Sequence, residues 1–165
     1  IQAWQKYYAP DLCPDYWNIL NDLGSKGRIF IPEEVKNEIV VTDNLDKTED
    51  DLSKWLKQSA IPVHKLTEQV IKCWQDILSA NPLHKLLVDN IKGRSLADPW
   101  VISHALCENA TVVTKENLEK AINTKRIKIP NVCENMGIRW IDDFTFVKEL
   151  GLKFSCYYDS KDKKS

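Results

Sequence analysis

Two carboxylates in this chain stand where a hard divalent cation could be held. Asp98 opens an apolar segment in Ser95-Leu96-Ala97-Asp98-Pro99-Trp100-Val101-Ile102. Glu116 follows a β-branched run in Ala110-Thr111-Val112-Val113-Thr114-Lys115-Glu116. Ligands of an open α/β sheet gather at the carboxyl ends of its strands, and Glu116, two residues past its strand, falls on that rim. Asp98 precedes Val101 by three residues and Ile102 by four, which turns it toward the apolar side of its helix. Glu38 follows Val35 by three and flanks Ile39, so it lies beside an apolar stripe, and Glu34 shares that flank. Acids that converge on one rim repel each other unless a cation sits between them, and oxygen donors are what Mg²⁺ or Mn²⁺ takes.

Each acid also has an ordinary explanation. Asp98 reads as an N-cap with Pro99 at the first helical position. Glu38 reads as a partly solvated helix residue, and Glu116 as an acid at the start of a short helix over 116–122. His64, His84 and His104 are too scattered to suggest a transition-metal site, and a structural role suits His104 better than substrate contact. Lys92, Arg94 and Lys115 bracket the acids and would reach phosphate groups, although a solvated loop explains them equally well. Asp142-Asp143 reads as a helix cap. Trp4, Trp17, Trp55, Trp74, Trp100 and Trp140 fall mostly on apolar positions and suit a core or interface better than base stacking.

The elements that must position these residues follow from periodicity. A helix is expected over 11–26, ending near Gly24 to Gly27, then a strand at Arg28–Ile31, with Pro32 in the first turn of the next helix. Thr48-Glu49-Asp50-Asp51 resembles a capping box before Leu52, Trp55 and Leu56. A helix over 64–80 carries Val70, Ile71, Trp74, Ile77 and Leu78, and a short helix over 83–88 follows Asn81-Pro82. Helices are also expected from Asp98, from Pro130 to Gly137 and over 144–150, with strands at Thr111–Thr114 and Ile138–Ile141 and an extended piece at Ile127–Ile129. Short strands separated by helices predict an α/β domain with a parallel sheet between helical layers. One domain over 1–152 with a tail over 153–165 is expected, without repeats or linkers.

The chain has 165 residues, enough for one domain with a sizeable core. Its 23 basic and 24 acidic side chains nearly cancel, so overall charge gives no support for nonspecific nucleic-acid binding. Five widely spaced cysteines form no C-x-x-C pair, which predicts reduced thiols in a cytoplasmic protein. No apolar run reaches membrane-spanning length. The scattered glycines form no phosphate-cradling loop, so P-loop hydrolysis is excluded.

Taken together, these stretches resemble PIN-like nuclease domains, in a prokaryotic branch catalogued as a domain of unknown function. The resemblance runs through Trp4-Gln5-Lys6-Tyr7-Tyr8-Ala9-Pro10-Asp11 with Trp17, Gly27-Arg28-Ile29, Pro32-Glu33-Glu34-Val35, Glu38-Ile39 and Trp55-Leu56. It continues through Ala97–Ile102, Ala110–Glu116 and Lys128-Ile129-Pro130-Asn131-Val132-Cys133 with Gly137. It implies a three-layer fold around a short central parallel sheet, and a metal-dependent endoribonuclease using Mg²⁺ or Mn²⁺. Asp98, Glu116 and Glu38 then match the catalytic, metal-holding acids, with Thr114 and Glu34 in support. Arg94, Lys92 and Lys115 would meet the RNA.

The resemblance further implies the toxin of a toxin–antitoxin pair, with an antitoxin protein as partner, and a homodimer is compatible with it. The family's first acid belongs to a D-T-x segment that ends the first, central strand, which its order puts before Ile1. The expectation is therefore a chain truncated before that strand and weak or inactive in cleavage. The competing expectation is a degenerate PIN-like module that binds RNA or protein. A phosphoacceptor signalling domain would need a lysine on a late strand, which Lys115 matches poorly.

Overall fold

The computed structural model describes residues 8–43, 51–88, 96–119 and 127–155. Helix α1 (Pro14–Ser25) begins with proline in its first turn and carries Tyr16, Trp17 and Leu23 inward. It ends at Ser25, within the Gly24 to Gly27 stretch where its end is expected. A Cβ at Gly24 would lie 2.7 Å from the Ile61 Cα, so this glycine permits a close backbone approach. Gly27, at φ +64°, makes the turn that follows.

Strand β1 is only Ile31–Pro32, so Pro32 ends a strand and α2 (Glu33–Asp43) starts one residue later. After α3 (Asp51–Gln58), β2 (Val63–His64) lies where a helix was expected, and Thr67 caps α4 (Glu68–Ala80) by accepting the Val70 N–H. The capping residues expected at 48–50 lie outside the described residues. A 3₁₀ turn over Pro82–Leu87 replaces the short helix. The chain continues through α5 (Asp98–Glu108), β3 (Val112–Val113), α6 (Ile129–Met136), β4 (Trp140–Ile141) and α7 (Asp143–Glu149). Ile127–Ile129 is not a strand, because Ile129 already begins α6. Asp142 caps α7 by accepting the Thr145 N–H at 2.7 Å, as expected.

The molecule is thus mostly helical, with short parallel strand pairs. β1 pairs with β2 (Ile31 with Val63) and β3 with β4 (Val112 with Trp140). Parallel neighbours need crossovers, and helices supply both: α2 and α3 in the first pair, α6 in the second. The expected single sheet is not formed among the described residues, since the two pairs are not hydrogen-bonded to each other. Between them runs a groove of about 610 Å³, walled by Phe30, Ile31 and Pro32 on one side and Thr111, Val112 and Val113 on the other. Val101 and Ala105 of α5 also line it. Val112 and Thr114 direct their backbone N–H groups to β4. Backbone groups alternate along a strand, so Val113 presents its own to the groove.

Two cores hold this framework. One joins Ile77, Leu87, Ile102, Val112, Val132 and Cys133, and the other Tyr8, Tyr16, Trp17, Ile39, Leu52 and Leu56. Trp17 is buried, while Trp55, Trp74, Trp100 and Trp140 are half-buried, in keeping with packing roles. Cys13, Cys73, Cys107 and Cys133 are free thiols, and burial pushes the Cys133 thiol up to about 12. No helix among the described residues is long and apolar enough to cross a membrane.

Candidate metal-binding site

Asp98 is the first residue of α5, not its cap. Ala97 holds the N-cap position with helical dihedrals and no side chain to accept a bond. The acceptor comes from another helix: Glu38 Oε1 takes the Ala97 N–H at 2.9 Å. This contact brings an acid from 59 residues away in sequence to the residue adjoining Asp98. Both carboxylates then sit at the positive end of α5, where negative charge is favoured.

Glu34 lies one turn before Glu38 on α2, hence on the same flank. Its Oε2 is buried and has no hydrogen-bond partner among the described residues. A buried carboxylate oxygen without a donor is costly unless a cation or another donor approaches it. Glu34 and Glu38 share a flank of α2 and Glu38 meets the start of α5, but Glu34, Glu38 and Asp98 do not close into a compact three-ligand group.

Glu116 sits differently. Its Oε2 accepts the Ile129 N–H at 2.9 Å, and its own N–H donates to Thr114 Oγ1 at 3.2 Å. Thr114 thus fixes the backbone at Glu116, and Glu116 closes the start of α6. Residues 116–119 are not helical, so the expected short helix does not begin at Glu116. Glu38, Asp98 and Glu116 do not form a compact three-ligand cluster. Lys115 reaches Asp143 at 2.5 Å and lies 4.7 Å above the Phe144 ring centre, so its ammonium is engaged within the protein. Lys92 and Arg94 lie outside the described residues.

The histidines depart most from expectation. Among the described residues, one group of three potential metal ligands comes together, and it is His64, His104 and Glu108. The Nδ1 atoms of both rings lie 2.9 Å from Glu108 carboxylate oxygens. Burial alone would raise the Glu108 carboxyl, but its hydrogen bonds with His64 and His104 outweigh that and hold it below its ordinary value. The His104-x₃-Glu108 spacing was the sequence signal, since residues four apart share a helix face. His64 arrives from β2 and gave none. His84 is structural: its Nδ1 meets the Ile77 carbonyl oxygen at 2.7 Å inside the core.

No curated protein and no solved structure matches the chain. One family model does, and it covers residues 1–154, from before α1 to past α7. This chain belongs to the family described as Domain of unknown function (DUF4411).

Proposed function

We propose that this protein is a PIN-like, metal-dependent ribonuclease whose cation would be held by Glu38 and Asp98, with Glu34 in support. The observation that carries this reading is the Glu38–Ala97 hydrogen bond, which brings the Glu38 carboxylate of α2 to the residue before Asp98. The unpartnered Glu34 oxygen and the resemblance in motif order support it.

Held by these acids, Mg²⁺ or Mn²⁺ would supply a lowered pKa for a bound water and an offset for charge on the phosphate oxygens. The chain's own residues hold and orient. Glu38 is kept in place by the Ala97 N–H, and Thr114 sets the backbone that presents Glu116. The groove between β1 and β3 suits a further, parallel strand. In the family pattern that strand ends in the first acid, so it would complete both the sheet and the acid set. A toxin role with an antitoxin partner rests on analogy alone.

A second reading has its own observation. Glu38 and Glu116 both accept backbone N–H groups, as structural caps do, which suits a PIN-like module that binds RNA or protein without cleaving it. Mn²⁺ binding followed by electron paramagnetic resonance separates the two. In a Glu108→Gln background, which removes the histidine-linked carboxylate, the nuclease reading predicts Mn²⁺ uptake that Asp98→Asn weakens at least about tenfold. Uptake unchanged by Asp98→Asn would favour the noncatalytic module.

A further inference from the structure

We propose a second cation site, chemically distinct from the acids, in which His64, His104 and Glu108 bind a zinc-type first-row transition ion. The three ligand atoms already lie within 4.8 Å of one another. The direct contacts are 2.9 Å from His64 Nδ1 to Glu108 Oε2 and 2.9 Å from His104 Nδ1 to Glu108 Oε1. Around a tetrahedral Zn²⁺ with bonds of about 2.05 Å, neighbouring donors stand roughly 3.3 Å apart. Both nitrogen–oxygen contacts therefore need to open by about 0.4 Å, and the two imidazole nitrogens, within 4.8 Å, to close toward about 3.3 Å, with the ion replacing the shared protons.

The elements hold this geometry from two sides. His104 and Glu108 are one turn apart on α5, and His64 ends β2, whose neighbour β1 packs against α5. The Phe30 ring stacks on His64 at 4.1 Å and 6°, which fixes that imidazole's plane. His104 is 1% exposed, and Nδ1 is the nitrogen it turns to the cluster, while its Nε2 has no hydrogen-bond partner among the described residues. The His64 and Glu108 side chains are 35% and 32% exposed, which leaves the cluster open to solvent for a fourth ligand such as water.

Two imidazoles and one carboxylate suit Zn²⁺, Co²⁺ or Ni²⁺ better than Mg²⁺, which favours all-oxygen surroundings. Asp98 and Glu108 stand at opposite ends of α5, about 15 Å apart along the axis at 1.5 Å per residue. One ion cannot serve both groups. Bound here, the ion ties β2 to the C-terminal end of α5.

The test titrates Co²⁺ into the chelator-treated full chain and follows its visible ligand-field absorption. The expected result is one Co²⁺ per chain with the intense bands of a four-coordinate site, displaced by Zn²⁺. Glu108→Gln and His64→Ala, both at accessible positions, should each weaken binding at least about tenfold while circular dichroism stays unchanged. Asp98→Asn should leave the bands intact. No saturable band, a band that persists unweakened in Glu108→Gln, or a band lost in Asp98→Asn would each overturn the proposal.

Discussion

Glu38 is at once a hydrogen-bond acceptor for α5 and a proposed cation ligand, and two substitutions separate these roles. Glu38→Ala leaves the Ala97 N–H without its acceptor, and urea unfolding should show a loss of about 1 kcal/mol, as for a lost cap. Glu38→Gln keeps an oxygen for that N–H and removes the charge. Its stability should stay within about 0.5 kcal/mol of the parent, while Mn²⁺-dependent cleavage collapses. Cleavage that survives Glu38→Gln would strike this residue from the ligand set.

Glu108 governs a pH effect. Its carboxyl is depressed in the folded chain, so the stability it contributes is present above its ordinary value of 4.5. That stability is lost as pH falls through the lower folded value. The metal-free protein should therefore lose unfolding free energy below about pH 4.5, and Glu108→Gln should flatten the decline. Equal acid sensitivity in both proteins would show that the histidine contacts contribute nothing. Of this cluster, only the four-residue spacing of His104 and Glu108 could be read from the chain. His64 is 44 residues from Glu108, and no local pattern encodes a contact over that separation.

Helix α1 and the segment before β2 meet so closely at Gly24 that any side chain collides with the Ile61 backbone. Gly24→Ala should cost about 2 kcal/mol, measured by thermal or urea unfolding, as overpacking does. A neutral result would mean that the two segments slide apart freely. Ile102, fully buried on α5 between the second strand pair and α4, should lose about 3 kcal/mol on truncation to alanine.

The longer elements were legible because their apolar residues recur with helical period, as in α4, and because their ends carry Pro130, Asp142 and Gly137. The strands were not. Two-residue pieces such as Val63–His64 show no alternation, and their pairing depends on partners some thirty residues away. Arg28–Phe30 looked like strand from its residue types, yet the ladder begins only at Ile31, where the N–H meets the Pro62 carbonyl oxygen. Asp98 looked like a cap because Asp-Pro commonly caps, whereas here Glu38 of α2 supplies the acceptor and frees Asp98 to enter the helix.

The α/β class with parallel strands was predictable from the order of elements, and both strand pairs are parallel. The division into two pairs was not, because no property of β1 or β3 alone says what lies beside its inner edge. The acids were visible as residue types at suggestive positions. Only their order, in resemblance to a nuclease family, suggested convergence, and the Glu38–Ala97 contact supports one part of it. Glu116 stands apart, committed to the start of α6. An open strand edge such as Val113's is a template for pairing, so a strand seated in the groove should also raise the melting temperature of the whole molecule.

The most direct measurement is cleavage of single-stranded RNA by the protein expressed with whatever residues its gene encodes before Ile1, with Mn²⁺ or with chelator, beside its Asp98→Asn variant. The account predicts Mn²⁺-dependent internal cuts, reduced at least about 100-fold by Asp98→Asn, as when one fixed electrostatic partner is removed from a reacting centre. RNA left intact by the folded, Mn²⁺-loaded protein, or cut equally well by the variant, would contradict it.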